Sequence, residues 1–127
     1  MTEQAGLLDG IVVLDMAQFL SGPFAALRLQ DLGARVIKIE RPGAGDFARN
    51  YDQRAKGMSS HFTWVNRSKE SLTLDLKHDS ALAILRQLLE TADVFVQNLA
   101  PGAAARMGLT APALQATNPK LIYCNLS

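Results

Sequence analysis

Residues 10–45 constrain the fold of this chain more than any other stretch. They read G-IVVLD-MAQFLS-GPFAALRLQDLG-ARVIKIE-RPGAG. Residues 11–14 form a short apolar run closed by Asp15, the pattern of a strand buried on both faces. Gly22 and Pro23 open a helix, since proline suits the first helical turn. Ala25, Ala26, Leu29 and Leu32 form the apolar face expected of that helix. Gly33 stops it. Val36, Ile37 and Ile39 begin a second strand, which runs into a basic, glycine-rich turn. Strand, helix and strand make one βαβ unit of about 30 residues. In doubly wound folds such a unit binds nucleotides at the carboxyl ends of its strands. The loop after the first strand lacks the G-x-G-x-x-G phosphate fingerprint. The stretch therefore points to a nucleotide-like ligand other than an ordinary dinucleotide.

Beyond that unit, residues 41–70 show little periodicity. They carry Arg41, Arg49, Arg54, Lys56, Arg67 and Lys69 against Asp46, Asp52 and Glu70. A loop this long inside a compact domain is usually functional or covers another chain. Residues 61–65 read as an extended or helical insert. Residues 71–76 alternate and predict a strand. His78, Asp79 and Ser80 supply a helix start, followed by the apolar face Ala81, Ile84, Leu85, Leu88 and Leu89. Residues 93–97 predict a buried strand. Short helices are expected from Pro101-Gly102 to near Gly108 and from Pro112 to about Thr117, then a last strand over residues 121–125. The order β-α-β-loop-β-α-β-α-α-β predicts an α/β fold with a mostly parallel, Rossmann-like sheet and flanking helices.

Length and charge narrow the classes. The chain has 127 residues, 48% hydrophobic and 20% charged, with a formal net charge of +1. No global field draws it to nucleic acid or membrane. A single cysteine, Cys124, excludes an internal disulfide framework and a cysteine-based zinc site. The first residues lack the basic and apolar regions of a signal peptide, and no apolar run reaches the length of a membrane span. The expected location is cytoplasmic. The sequence stops at Ser127, directly after a predicted strand, whereas domains rarely end on a buried strand with nothing to cover it. The expectation is the amino-terminal part of an incomplete domain.

Four predicted loops follow strands: 15–22, 40–46, 77–79 and 98–102. With nearby Arg106 they offer Gln18, Ser21, Arg41, Lys77 and Asn98. This set is basic and amide-rich, suited to phosphates and an adenine edge rather than to acid–base chemistry. Each residue has a plainer reading. Arg41 reads equally as solvated, Lys77 as neutralising Asp75, and Asn98 as making an Asx-turn before Pro101. Asp15 reads as a general base or, more commonly for a strand-end aspartate, as a partner of nearby backbone. His61 and His78 are far apart in the chain, with no third ligand at metal spacing, so no metal site is expected.

The blocks LDGIVVLD, SGPFAALRLQDLGARVIKIERPGAGD, NRSKESLTLDLK, LLETADVFVQNLAPGAAARMGL and NPKLIYCNLS resemble the amino-terminal part of the family III CoA-transferases, the CaiB–BaiF family. They cover nearly the whole chain in that family's order. The resemblance implies an acyl-CoA:carboxylate CoA-transferase, with CoA or acyl-CoA and a carboxylic acid as substrates and no prosthetic group. It implies a large Rossmann-like domain, a small domain, and a homodimer of interlocked rings. It also implies covalent catalysis through an aspartyl anhydride, with the nucleophilic aspartate falling beyond Ser127 and no transferase activity in these 127 residues alone.

By position, the resemblance assigns CoA contacts to Gln18, Phe19, Leu20 and Ser21, to Arg41, to the 74–77 segment with Leu74 and Lys77, to Asn98, Leu99 and Ala100, and to Arg106. An aromatic is common in the family where Leu99 stands. Two alternatives remain: an α-methylacyl-CoA racemase of the same superfamily, and a non-catalytic CoA- or nucleotide-binding module. An NAD-dependent dehydrogenase fragment is disfavoured by the missing glycine fingerprint.

Overall fold

Among the described residues five strands, Val12–Asp15 (β1), Arg35–Glu40 (β2), Glu70–Thr73 (β3), Val94–Gln97 (β4) and Ile122–Asn125 (β5), pair in parallel in the order β3-β2-β1-β4-β5. The computed structural model describes residues 5–126. From β1 the chain winds outward through β2 to β3, then returns to lay β4 on the other side of β1. The winding therefore reverses between β1 and β4, and ligands of open α/β sheets bind at the carboxyl ends of strands at such a reversal.

Helices cover both faces. On one face Ser21–Asp31 (α1) lies over Val13, Ala17, Val36 and Val96. Ser60–Asn66 (α2) and the 3-10 turn Phe47–Asn50 extend that layer. On the other face Asp79–Thr91 (α3), Ala103–Arg106 (α4) and Ala111–Thr117 (α5) close over Leu14, Ile39 and Phe95. Strand period 2 explains the split. Val13 and Asp15 point to the α1 side and Leu14 to the α3 side. In β2, Val36, Lys38 and Glu40 share the parity of Val13 and Asp15, so a lysine and a glutamate enter a buried layer. Phe95 is fully buried at the centre of the α3-side core. Truncating such a residue to alanine costs about 3–5 kcal/mol.

Small differences from the expected elements have local causes. β1 includes Asp15, whose backbone continues the register opposite Lys38. On α1, Ala25 and Leu32 face solvent, while Ala26 and Leu27 are buried. Leu32 sits past the last helical turn, where Gly33 (φ 110°) reverses the chain. A side chain at Gly33 would also collide with Asp9. On α3, Ile84 is exposed while Leu85 and Leu89 are buried. The His78 side chain makes no capping bond there. β3 ends at Thr73, so Leu74–Lys77 leaves the edge of the sheet to border a cleft.

Candidate functional site

The carboxyl ends of β1, β2 and β3 and the segment after β4 enclose a cavity of about 520 Å³. Met16, Ala17 and Gln18 come from the β1 exit, and Arg41 and Gly45 from the β2 exit. Leu74, Asp75, Leu76 and Lys77 follow β3, and Leu99, Ala103, Arg106 and Met107 close the opposite wall. The lining is mostly apolar, with Arg41, Lys77 and Arg106 as exposed cations at its rim. A second cavity of about 680 Å³ lies beyond the β4 exit. Ser21, Asn98, Leu99, Ala100, Thr110 and Tyr123 are among the residues around it.

The structure thus brings six of the eleven sequence-nominated residues to one cavity: Gln18, Arg41, Leu74, Lys77, Leu99 and Arg106. Ser21, Asn98 and Ala100 border the other, which shares Leu99. Phe19 and Leu20 lie outside both linings and are half-exposed.

Asn98 is not spent on a local turn before Pro101. Its Nδ2 donates to the Gln18 carbonyl (2.8 Å), and its Oδ1 accepts from the Gln18 N–H (2.9 Å). One amide thereby ties the β4 exit to the β1 exit, across the point where the winding reverses. Gln97 braces the same exit: its Oε1 accepts from Leu99 N–H, and its Nε2 donates to Asn125 and Tyr123. Arg41 is exposed yet oriented. Its Nε donates to the Gly45 carbonyl (3.0 Å), and its guanidinium lies 4.2 Å from the centre of the Phe47 ring. Asp75 receives the Lys77 backbone N–H (3.2 Å) and stands 3.4 Å from His78. It is the Lys77 backbone, therefore, that meets Asp75 as a hydrogen-bond donor.

Beneath the cavity runs a buried ionic layer that reading the sequence passed over. Lys69 Nζ donates to Asp15 Oδ2 (2.8 Å), to the Pro23 carbonyl and to Asn66 Oδ1. Lys38 Nζ donates to the Ala17 carbonyl (2.9 Å) and stands 2.9 Å from Asp46 Oδ2, a charge contact rather than an aligned hydrogen bond. Asp15 Oδ1 accepts from Ala17 N–H. Glu40 takes Arg49 in a two-pronged pair (2.8 and 2.7 Å) and accepts from Asp46 N–H (2.9 Å).

Positive and negative charges balance within this layer, as burial demands. Burial pulls the Lys69 ammonium below its usual range against the opposing pull of Asp15. Burial also pushes the Glu40 carboxyl up, but the Arg49 hydrogen bond, the Asp46 N–H and the charges of Arg49 and Lys38 together hold it below the usual carboxylate range. One sequence signal for the layer was present. Lys38 interrupts the apolar run V-I-K-I at a position sharing the parity of buried Val36, and a strand covered on both faces must bury it.

Chemically, the cavity offers cations and apolar walls. Its deep carboxylates, Glu40 and Asp46, are already held by Arg49 and Lys38. Among the described residues no helix is long and apolar enough to cross a membrane.

Comparison with known proteins agrees with this architecture. The model of CoA-transferase family III matches residues 8–127. The chain is 43% identical over 122 residues to acetyl-CoA:oxalate CoA-transferase of Acetobacter aceti, covering 96% of this chain and 31% of that protein. It is 40% identical over 121 residues to succinyl-CoA:glutarate CoA-transferase of Homo sapiens, covering 94% and 28%. Among solved structures, Rv3272 from Mycobacterium tuberculosis superposes with a TM-score of 0.90 at 40% identity, covering 98% of this chain and 34% of that one. A CAIB/BAIF family protein from Brucella suis gives 0.89 at 36% identity, covering 96% and 33%. The chain spans about a third of the length of these relatives. Matched by the family model over nearly its whole length, it belongs to CoA-transferase family III.

Proposed function

We propose that this chain forms the CoA-binding part of an acyl-CoA:carboxylate CoA-transferase. The observation that carries the reading is the convergence of Gln18, Arg41, Leu74, Lys77, Leu99 and Arg106 on one cavity at the carboxyl edge of the sheet. Three of these are cations, and CoA presents several phosphate charges next to an adenine ring. Guanidinium groups suit both, pairing with phosphate oxygens and stacking on aromatic planes. The apolar walls from Leu74, Leu76 and Leu99 suit the less polar part of the same ligand.

In the whole protein the reaction moves CoA from a thioester to a carboxylic acid. An aspartate carboxylate attacks the thioester carbonyl, an acyl anhydride forms on the protein, and CoA departs as thiolate. In these 127 residues the carboxylates nearest the cavity floor, Glu40 and Asp46, are already paired with Arg49 and Lys38, which supports a binding role and an aspartate nucleophile supplied from elsewhere in the protein. The stretch alone is therefore expected to turn over no substrate. The whole protein is expected to act as a homodimer in the cytoplasm, on a CoA thioester and a carboxylic acid.

Calorimetric titration of the full-length protein with CoA and with NAD tests the binding reading. Binding of CoA in preference to NAD supports it; binding of NAD without CoA overturns it. A thioester-exchange assay on the 127-residue stretch tests the division of labour, and turnover well above background would overturn that.

A further inference from the structure

Phe19 holds a left-handed backbone (φ 74°), unusual for a bulky residue. Such a conformation persists only where the surroundings over-determine it. Here they do. The Phe19 N–H donates to Asp46 Oδ1 (3.2 Å), its carbonyl meets His61 Nε2 (3.1 Å), and its ring stacks on Phe47 at 5.2 Å and 6°. The preceding residue, Gln18, is gripped by Asn98 at both its backbone N–H and its carbonyl.

Asp46 is the fixed point of this arrangement. It is 1% exposed. Its N–H donates to Glu40, its Oδ1 also accepts from Ala48 N–H, and its Oδ2 faces Lys38. Starting the 3-10 turn needs only the Ala48 contact. Reaching Phe19, 27 residues away in sequence, does something more: it fastens the β1 exit to the buried ionic layer. Lys38 fastens the same exit a second time, at the Ala17 carbonyl.

We propose that Asp46 is a positioning residue for the ligand-side loop. Backed by Lys38, it holds Phe19 left-handed and so sets the direction in which Gln18, one residue earlier, enters the cavity. The effect on ligand affinity rests on the CoA reading above; the effect on the loop does not. A loop that leaves this conformation part of the time weakens apparent affinity in proportion to the time lost.

Two measurements on the full-length protein test this: hydrogen exchange at the Phe19 amide, and CoA affinity. Asp46→Ala is expected to speed Phe19 exchange by at least ~tenfold and to weaken CoA binding by a similar factor. Asp46→Asn, which keeps an acceptor oxygen, is expected to fall between it and the parent protein. Phe19→Val is expected to weaken CoA at least ~tenfold more than Phe19→Gly, because glycine adopts positive φ freely and a β-branched residue does not. Unchanged Phe19 exchange in a folded Asp46→Ala protein overturns the proposal, as does equal weakening by the two Phe19 variants. If Asp46→Ala does not fold, the Phe19 pair decides. A parent protein that binds no CoA refutes the functional reading instead, and Phe19 exchange in the two Asp46 variants then decides the role of Asp46.

Discussion

Lys69 and Asp15 meet at 2.8 Å with their side chains 1% and 0% exposed. The pair joins the start of β3 to the end of β1 on the α1 side of the sheet. Removing Lys69 leaves the buried Asp15 with only the more distant Lys38 (4.0 Å) and the Ala17 N–H to offset its charge. Lys69→Met is expected to destabilise the protein by about 3–5 kcal/mol, read as a lower urea midpoint. Adding Asp15→Asn should recover part of that loss, so the double-mutant cycle should show strong coupling. Simple additivity would contradict the pairing.

Asn98 and the Gln18 backbone form a second joint, between the exits of β4 and β1. Asn98→Ala removes both hydrogen bonds and should cost about 1–3 kcal/mol. Asn98→Asp keeps an acceptor for the Gln18 N–H but sets a carboxylate against the Gln18 carbonyl. It should therefore be no better than alanine. Thermal denaturation beside CoA titration checks both; an aspartate variant matching the parent protein would show that the donated bond carries nothing.

Acid should weaken the fold through carboxylates held low: Glu40, Asp52 and the exposed Glu70 beside Arg35. Glu40 is held low by Arg49 and the Asp46 N–H despite burial, and Asp52 is lowered to about 2 by the Ser60 and Arg54 N–H groups and the Ser60 hydroxyl. A carboxylate whose folded pKa lies below its unfolded one contributes fully above the unfolded value, about 4, and loses that contribution as pH falls through the folded value. Stability is expected to hold from neutral pH to about pH 5 and then decline toward pH 2. Urea midpoints against pH measure this. Asp52→Asn should flatten the acid limb, and stability rising on acidification across this range would refute the assignment.

Salt should separate the rim from the layer below it. Arg41, Lys77 and Arg106 are exposed, and exposed charges are screened within about 10 Å at 0.1 M salt. CoA affinity should fall as ionic strength rises from about 0.05 to 0.5 M. Arg106→Ala or Lys77→Ala should reduce that dependence. Arg35→Ala, which breaks only the exposed pair with Glu70 between the first residues of β2 and β3, should leave it in place. Titrations at several salt concentrations decide, and a salt-independent affinity would count against phosphate recognition at the rim.

The order of the elements was legible because the strands are short apolar runs, or in β3 an alternating one, and each helix carries a stop or start signal, such as Gly33 after α1 or Pro112 in α5. Faces were harder. Ala25 and Leu32 fit an apolar stripe on α1 by spacing together with Ala26, yet the helix turns Leu27 inward beside Ala26 and leaves Ala25 and Leu32 exposed. Of the candidate site, the strand-exit residues were readable because a parallel sheet gathers its exits at one edge. The ionic layer was not, because Lys38 pairs with Asp46 and Lys69 with Asp15 only after β1, β2 and the insert are stacked. Asn98 was nominated as a contact, but its grip on Gln18 requires the sheet order, which no local pattern states.

That grip also bears on how the cleft comes into being. Gln18 and Asn98 are separated by 80 positions, and β1 must pair with β4 before they can meet. Contacts of such long range form late, since the chain entropy of closing the loop is spent before they give anything back. As the polypeptide leaves the ribosome, the βαβ unit at its start can take shape first, but it has no closed cleft until β4 has emerged and docked. On the CoA reading, ligand binding at this cleft would report the docking of β4, and a chain made only as far as β3 would not bind.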